Sequence, residues 1–481
     1  VRVLELANAG FGRSANAGVR TTSAPYVLVA NADVRFAPDA IAHLVEALRA
    51  DPAVAAAGPA VRYSALTTAT SLSALLLFHE QFLRSLAYGG IAGTLLAAAA
   101  ATWLLPPMLE RWGRHIRPAP PRDPDHGTFH RLTRWIQTRP RTVAIGSLAL
   151  LALLALPLTG VAFEGLDARS LPASSPTRQL TERMPVEFPE LAVAPVTVLA
   201  DAAHDHQDLA DLLDSVSRIA GQDPQVTPLG ERTAISVSPP GAAADRAAFD
   251  LVRDLRAINS PVPFGVTGEA SEDLDILDSA RDRLPLATGL LAILMFGLLV
   301  AFTRAPVLAV KAVFINAVSV VAAFGLLVWI FQDGNFAGLL GVEPIGALSA
   351  PILILTFAFA FGLSMDYEVF ILARIREHYD HTGDNDLATA RGLQQSGRII
   401  TTAAALIIVV FIGFAAGDLL MVKQTGIGLA LAVAVDVTIV RLFLLPAAMT
   451  LLGRANWWRP GRRTDPGAPE GQAPRPVRAL R

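Results

Sequence analysis

An aspartate and a tyrosine stand side by side at Asp366 and Tyr367, deep in an apolar run that begins near Ala347 and meets its first arginine at Arg374. A carboxylate at such depth in a bilayer costs roughly 2.5–3.5 kcal/mol even on a lenient insertion scale, so it marks a functional site by default. Taking up and releasing a proton is the cheapest way for such a group to change its charge. Asp366 is therefore a candidate proton carrier. Tyr367 adds a phenolic hydroxyl that donates to the charged carboxylate and accepts from the neutral acid. The competing reading sets Asp366 in the membrane interface, snorkelling beside Arg374 and carrying nothing. Its position several turns inside the apolar stretch favours the first reading.

Asp436 lies in the middle of a second apolar run, 425–445, with Arg441 about a turn and a half further on. It has three open roles: a neighbour of Asp366 across a bundle, a partner for Arg441, or a polar packing contact. Packing and charge balance are favoured over direct proton carriage. Ser364 and Thr401 are suited to hydrogen bonds between helices, and Gly362, Gly392, Gly397, Gly426 and Gly428 to close helix approach. His204 and His206 flank Asp205, but a polar loop without further ligands reads as solvated rather than as a metal site.

These residues need a membrane bundle to position them. Of the 481 residues, 52% are hydrophobic and only 17% charged, which points to an integral membrane protein with one sizeable polar portion. A net charge of -2 suggests no nucleic-acid partner, and the absence of cysteine excludes disulfides and thiolate metal sites. Apolar runs at 65–78 (marginal in length), 86–108, 143–161, 284–302, 307–331, 347–372, 399–416 and 425–445 alternate with arginine-rich stretches that all fall on one side. The polar region between 162 and 283 alternates strand-like and helix-like patterns, which fits a small α+β domain. The chain opens on Val1 and reads as a piece of a longer one.

Four motifs in order carry a resemblance. Gly362-Leu-Ser-Met-Asp-Tyr-Glu-Val-Phe-Ile-Leu-Ala-Arg-Ile-Arg-Glu377, Ser396-Gly-Arg-Ile-Ile-Thr-Thr-Ala-Ala-Ala405, Asp436-Val-Thr-Ile-Val-Arg441 and Asn456-Trp-Trp-Arg-Pro460 resemble the C-terminal membrane half of the MMPL family, proton-driven exporters of the resistance-nodulation-division superfamily. Near the start, Asn8 to Gly18, Asn31-Ala-Asp33 and Ala57-Gly-Pro59 are similar to part of a family 2 glycosyltransferase of GT-A type, in which the position of Asp33 helps hold a metal and a nucleotide-sugar diphosphate. The opening strand and the later catalytic-base region of that family are missing, so this portion reads as an inactive remnant.

The resemblances imply an α-helical polytopic membrane protein of about seven spans with one extracytoplasmic α+β porter-like domain and an N-terminal α/β fragment. The expected divisions are 1–63 for the glycosyltransferase-like fragment, 64–108 for two spans, 109–142 for a basic cytoplasmic linker and 143–161 for a span. They continue with 162–283 for the porter-like domain, 284–452 for a five-span bundle and 453–481 for a basic disordered cytoplasmic tail. The function implied is export of lipids or other hydrophobic molecules across the cytoplasmic membrane, driven by the proton-motive force. Asp366 and Tyr367 form the relay, supported by Ser364, Asp436 and Arg441. Partners are protons, membrane lipids and a hydrophobic substrate; no cofactor, metal or nucleic acid is expected. The family places an Asp-Tyr pair in each of two halves and this chain carries one, so transport calls for a second polypeptide that supplies the missing spans. The alternative is a membrane-anchored family 2 glycosyltransferase using a nucleotide-sugar donor. A sterol-sensing or protein-translocation relative is disfavoured by the Asn456-Trp-Trp ending.

Overall fold

The computed structural model describes residues 54–105, 107–108, 125–163, 168–187, 195–204, 207–239, 246–342, 344 and 346–458. The expected α/β fragment with Asp33 therefore lies outside the described residues up to 53, as do 109–124 of the linker and the tail from 459. The chain divides into two compact units, residues 1–62 with 96–119 and residues 63–95 with 120–481. The described residues of the first unit are helical.

Helices α1 (Val54–Ser73), α2 (Gln81–Ala99), α3 (Thr128–Thr138) and α4 (Pro140–Ala155) come first. Pro140 opens α4 at the one helical position where its missing N–H costs nothing. Helix α5 (Pro176–Glu187) leads into the α+β domain, which runs β1 (Val196–Ala200), α6 (Leu209–Ala220), β2 (Gln225–Leu229), β3 (Arg232–Val237), α7 (Arg246–Arg256), β4 (Phe264–Thr267). The strands form one antiparallel sheet in the order β2-β3-β1-β4, with Val198 opposite both Ile235 and Val266. Val196, Val198 and Ala200 alternate inward from β1, as the two-residue period of a strand requires, onto Leu209, Leu212 and Val216 of α6 and Phe249, Val252 and Leu255 of α7. β2 is a mostly exposed edge strand with Pro228 in it, and so lacks the buried alternation of its neighbours.

Helix α8 (Glu269–Thr303) runs without a break from this domain into the membrane bundle, its Ala270 and Leu274 in the domain core and its Leu291, Met295 and Leu299 in the bundle core. The end of the polar region and the apolar run 284–302 are thus one element, with Pro285 inside it. Helices α9 (Pro306–Leu327), α10 (Ala337–Leu340), α11 (Ala350–Thr382), α12 (Asn385–Ala415), α13 (Leu420–Val435) and α14 (Leu445–Leu452) complete the bundle. A π-helical segment, Asp436–Leu444, joins α13 to α14, and a 3₁₀ turn, Gly453–Trp457, follows. The polar stretch 374–398 is helical except at one tight turn. Gly383 ends α11 in the left-handed conformation, and the Asp384 carboxylate caps α12 by accepting from the N–H groups of Asp386 and Leu387.

Among the described residues seven helices are long and apolar enough to cross a membrane: Gln81–Leu104, Pro140–Gly160, Glu269–Thr303, Pro306–Gln332, Ala350–Thr382, Asn385–Ala415 and Leu420–Trp457. A shorter apolar helix, Tyr63–Leu77, accompanies them. Ile145, Ile293, Phe314, Leu406 and Val409 stand exposed on the outward faces. A surface of that kind suits hydrocarbon, whereas water-soluble proteins rarely expose large contiguous apolar patches.

Candidate functional site

Successive residues of an α-helix point about 100° apart, so Asp366, Tyr367 and Glu368 of α11 look in three directions. Asp366 faces α1, where the hydroxyl of Thr68 donates to Oδ2 at 2.6 Å and that of Thr67 donates to Oδ1. α1 can come this close because Gly362, one turn before Asp366, has no Cβ: one built there would lie 2.9 Å from Cβ of Ser71. Tyr367 faces Arg441, whose guanidinium lies 5.5 Å from the centre of its ring, within cation–π range. Glu368 points into the bundle and is buried.

Arg441 Nε donates to Asp436 Oδ2 at 2.7 Å, and both side chains are almost wholly buried. The π-helical segment makes the pair possible. Its hydrogen bonds run from residue i to i+5, so residues five apart stack along one face, which an α-helix would turn away from each other. Arg441 also donates through Nη2 to the backbone carbonyl and, at 3.3 Å, to the hydroxyl of Ser364. One guanidinium thus ties the π segment to the turn of α11 that carries Asp366.

Asn316, Glu368, Asp436 and Arg441 line a small cavity together with Ile315, Val440 and Leu445. Oδ1 of Asn316 and Nη1 of Arg441 are buried there without a hydrogen-bond partner. One donor and several acceptors around such a space are the partners a single buried water uses. On the far side of Glu368, within its electrostatic reach, is the buried Lys311 of α9. The Lys311 ammonium donates to Asn456 Oδ1 at 3.2 Å and contacts the sulfur of Met449. Asn456 in turn donates to the carbonyls of Met449 and Gly453, the Trp457 indole donates to Asn385 Oδ1, and the Trp457 ring stacks on Tyr379 at 4.2 Å. The Asn456-Trp457 turn therefore closes this end of the bundle.

The cluster holds three carboxyl groups, Asp366, Glu368 and Asp436, and two cations, Lys311 and Arg441. Its charges balance when one carboxyl carries a proton.

Of the residues singled out in the sequence, Asp366, Tyr367, Ser364, Asp436 and Arg441 come together around one turn of α11. Thr401 does not join them; its hydroxyl bonds the Arg398 carbonyl of its own helix. His204 is described, whereas Asp205 and His206 are not, and no group of three or more metal-ligating side chains occurs among the described residues. Arg374 pairs with Glu377 at 2.8 Å. Sequence reasoning passed over Thr67, Thr68, Lys311, Asn316 and Glu368 as site residues. Glu368 carried a readable signal, a second carboxylate in the same apolar run. The two threonines lie about 300 positions from Asp366, and only the tertiary contact exposes their role.

The family model described as "MMPL family" matches residues 175–474, and that of "Glycosyl transferase family 2" matches residues 1–96. The chain is 42% identical over 410 residues to the membrane protein SCO6666 of Streptomyces coelicolor, an alignment covering 85% of this chain and 57% of that protein. It is 29% identical over 462 residues to the trehalose monomycolate exporter MmpL3 of Mycobacterium tuberculosis, covering 85% of this chain and 48% of the exporter. It is 32% identical over 458 residues to the mycolic acid-containing lipids exporter MmpL11 of Mycolicibacterium smegmatis, covering 89% and 47%. The chain thus spans about half the length of the curated relatives it matches. A family match over well over half the chain, in a structure with seven helices long and apolar enough to cross a membrane among its described residues, makes this polytopic membrane protein a member of the MMPL family.

Proposed function

We propose that this chain forms the proton-coupled half of an exporter of lipids or other hydrophobic molecules, with Asp366 as the group that loads and releases the proton. The observation that carries the reading is the unequal count of three carboxyl groups and two cations in the bundle. A buried cluster one cation short is balanced by a proton, and that proton is mobile only where a carboxyl has exchangeable partners. Asp366 has the Thr67 and Thr68 hydroxyls, which donate to the carboxylate and, by rotating, accept from the acid. Asp436 is held by Arg441, which suits it to charge balance. The exporter names carried by two relatives support the substrate class.

In this reading the arginine-rich ends of the spans face the cytoplasm, as does the C-terminus, and the α+β domain faces outward. One charge moving through 100 mV supplies ~2.3 kcal/mol, to which a pH gradient adds. Protonation of Asp366 loosens its hold on α1, and the resulting shift of α11 reaches the α+β domain through α8. Membrane spans with a second Asp-Tyr pair complete the pathway. In this reading residues 1–96 serve the bundle rather than sugar transfer, which is supported by Thr67 and Thr68, within the stretch that resembles a glycosyltransferase, engaging Asp366.

The test is efflux of a lipid probe from vesicles carrying this chain, with and without co-expressed spans bearing a second Asp-Tyr pair, under an imposed pH gradient. Gradient-dependent efflux that is lost in Asp366→Asn, by a hundredfold or more, is the expected result. Equal efflux from both chains under every pairing would remove Asp366 from the mechanism.

A further inference from the structure

No acidic residue occurs between 126 and 163, a stretch that holds helix α3 and the whole of α4. Within it Arg131, Arg134, Trp135 and Thr138 recur at the three- and four-residue spacing of one helical face, and Arg139 and Arg141 follow at the turn into α4. All six residues are exposed, Trp135 by 50%. The opposite face of α3 is fully engaged. Thr133 and Ile136 are buried there, Ile136 in one cluster with Leu444 and Ala447. The Phe129 ring lies so close to Gly397 of α12 that a Cβ on the glycine would meet it at 2.8 Å. The Gln394 side chain accepts from the His130 N–H at 3.0 Å and donates to the His126 carbonyl at 3.1 Å, and Gln137 donates to the Asp386 carbonyl at 2.8 Å.

The outer face carries cations without counter-charges. Among the described residues none of Arg131, Arg134, Arg139 and Arg141 pairs with a carboxylate, and Arg134 bonds only the Gln137 amide oxygen, at 3.2 Å. The carboxylates on the inner side are taken: Asp125 accepts from Nε and Nη2 of Arg391 at 2.6 and 2.9 Å, and Asp386 accepts from the Thr450 hydroxyl at 3.0 Å. Position supplies the missing charge. One end of α3 meets Gly397, two residues before the exposed Ile399 opens the apolar run 399–416, and the other end is one residue from Pro140, where a span begins. Both ends thus lie where a span enters hydrocarbon, the level of lipid headgroups and of interfacial tryptophan. A guanidinium fork matches the paired oxygens of a phosphate, and basic residues beside a span draw anionic lipids in particular.

We infer that the outer face of α3 is a docking surface for anionic phospholipids, with Arg131 and Arg134 on the headgroup, Trp135 against the glycerol region, and Arg139 and Arg141 extending the cationic strip to α4. The surface stands apart from the Asp366 cluster and does not depend on the export reading. Because the inner face of α3 is fastened to α12, lipid held on the outer face braces the join between α12 and α4.

The chain has no cysteine, so Thr138→Cys labelled with a nitrobenzoxadiazole fluorophore places a single reporter on this face. The full chain is reconstituted in nanodiscs of phosphatidylcholine, and quenching is compared for phosphatidylglycerol and phosphatidylcholine carrying the same acyl-chain nitroxide at the same mole fraction. Quenching by phosphatidylglycerol is expected to be at least threefold stronger. The preference should fall to near parity when Arg131→Gln and Arg134→Gln are added, with quenching by phosphatidylcholine unchanged as the sign that α3 stays in place. It should persist when Arg304→Gln and Arg454→Gln remove the same charge from two other exposed positions. Equal loss from both pairs would show general attraction to the protein's charge and overturn the surface. No preference in the chain with all its arginines would overturn it equally, and a reporter that answers to polyglutamate but not to phosphatidylglycerol would assign the face to an acidic protein instead.

Discussion

Lys311 and Arg441 are the two cations set against the three buried carboxyl groups, so removing Lys311 deepens the imbalance away from water, whereas removing Glu368 leaves two carboxyl groups against two cations. Leaving a buried charge uncompensated costs about 3–5 kcal/mol. Lys311→Met should therefore lower the unfolding midpoint markedly in detergent, and adding Glu368→Gln should recover most of the loss. A double variant as unstable as Lys311→Met alone would mean that the two groups do not share a field. The Asp366 hydroxyl contacts behave differently. Thr67→Val and Thr68→Val remove donors of the same shape, which for hydrogen bonds to a charged group is worth about 1.5–3 kcal/mol each. Their effect should fall on proton coupling, measured as the gradient dependence of efflux, before it falls on assembly.

Helix contacts in this bundle are set as much by glycine as by large apolar residues. A Cβ on Gly325 of α9 would lie 2.0 Å from the Leu154 carbonyl oxygen and 2.7 Å from Cα of Ala155, so α4 and α9 touch backbone to backbone there. Gly325→Ala must push the helices apart, and overpacking of that kind costs about 1–3 kcal/mol. Gly297 of α8 has open space around it, and a glycine inside a helix costs roughly 0.5–1 kcal/mol against alanine. Gly297→Ala should accordingly raise thermal stability while Gly325→Ala lowers it. Two shifts of the same sign would contradict the packing described for α9. Sequence alone could mark both glycines as permissive, but it could not separate the one under contact from the one facing outward.

Across the whole molecule, α8 joins the α+β domain to the bundle, and its first turns are fastened by Arg256. The Arg256 guanidinium donates to both carboxylate oxygens of Asp275 at 2.6 and 2.9 Å and to the Ser271 hydroxyl. The hydrogen bond to Asp275 raises the pKa of Arg256 further above its ordinary value, against the opposing effect of burial. If α8 transmits movement between the two parts, Arg256→Glu should reduce gradient-driven efflux several-fold with little change in folding. Arg256→Glu combined with Asp275→Arg should restore much of it. Full efflux from the single variant would place the coupling elsewhere.

The number of spans and the presence of an α+β domain between two of them were legible in the sequence, and Asp366 stood out there as a candidate, because bilayer burial imposes long apolar runs and makes each exception conspicuous. The motifs around Asp366, Asp436 and Asn456 identified the family for the same reason. Tertiary structure decided which groups answer each exception. Thr67 and Thr68 meet Asp366 from a helix about 300 residues away, the π segment turns Arg441 onto Asp436, and Glu368 shares one small cavity with Asn316, Asp436 and Arg441. Composition and period along a chain report burial, which is a property of each segment. Partners are set by the way segments cross, and that depends on every contact in the bundle at once.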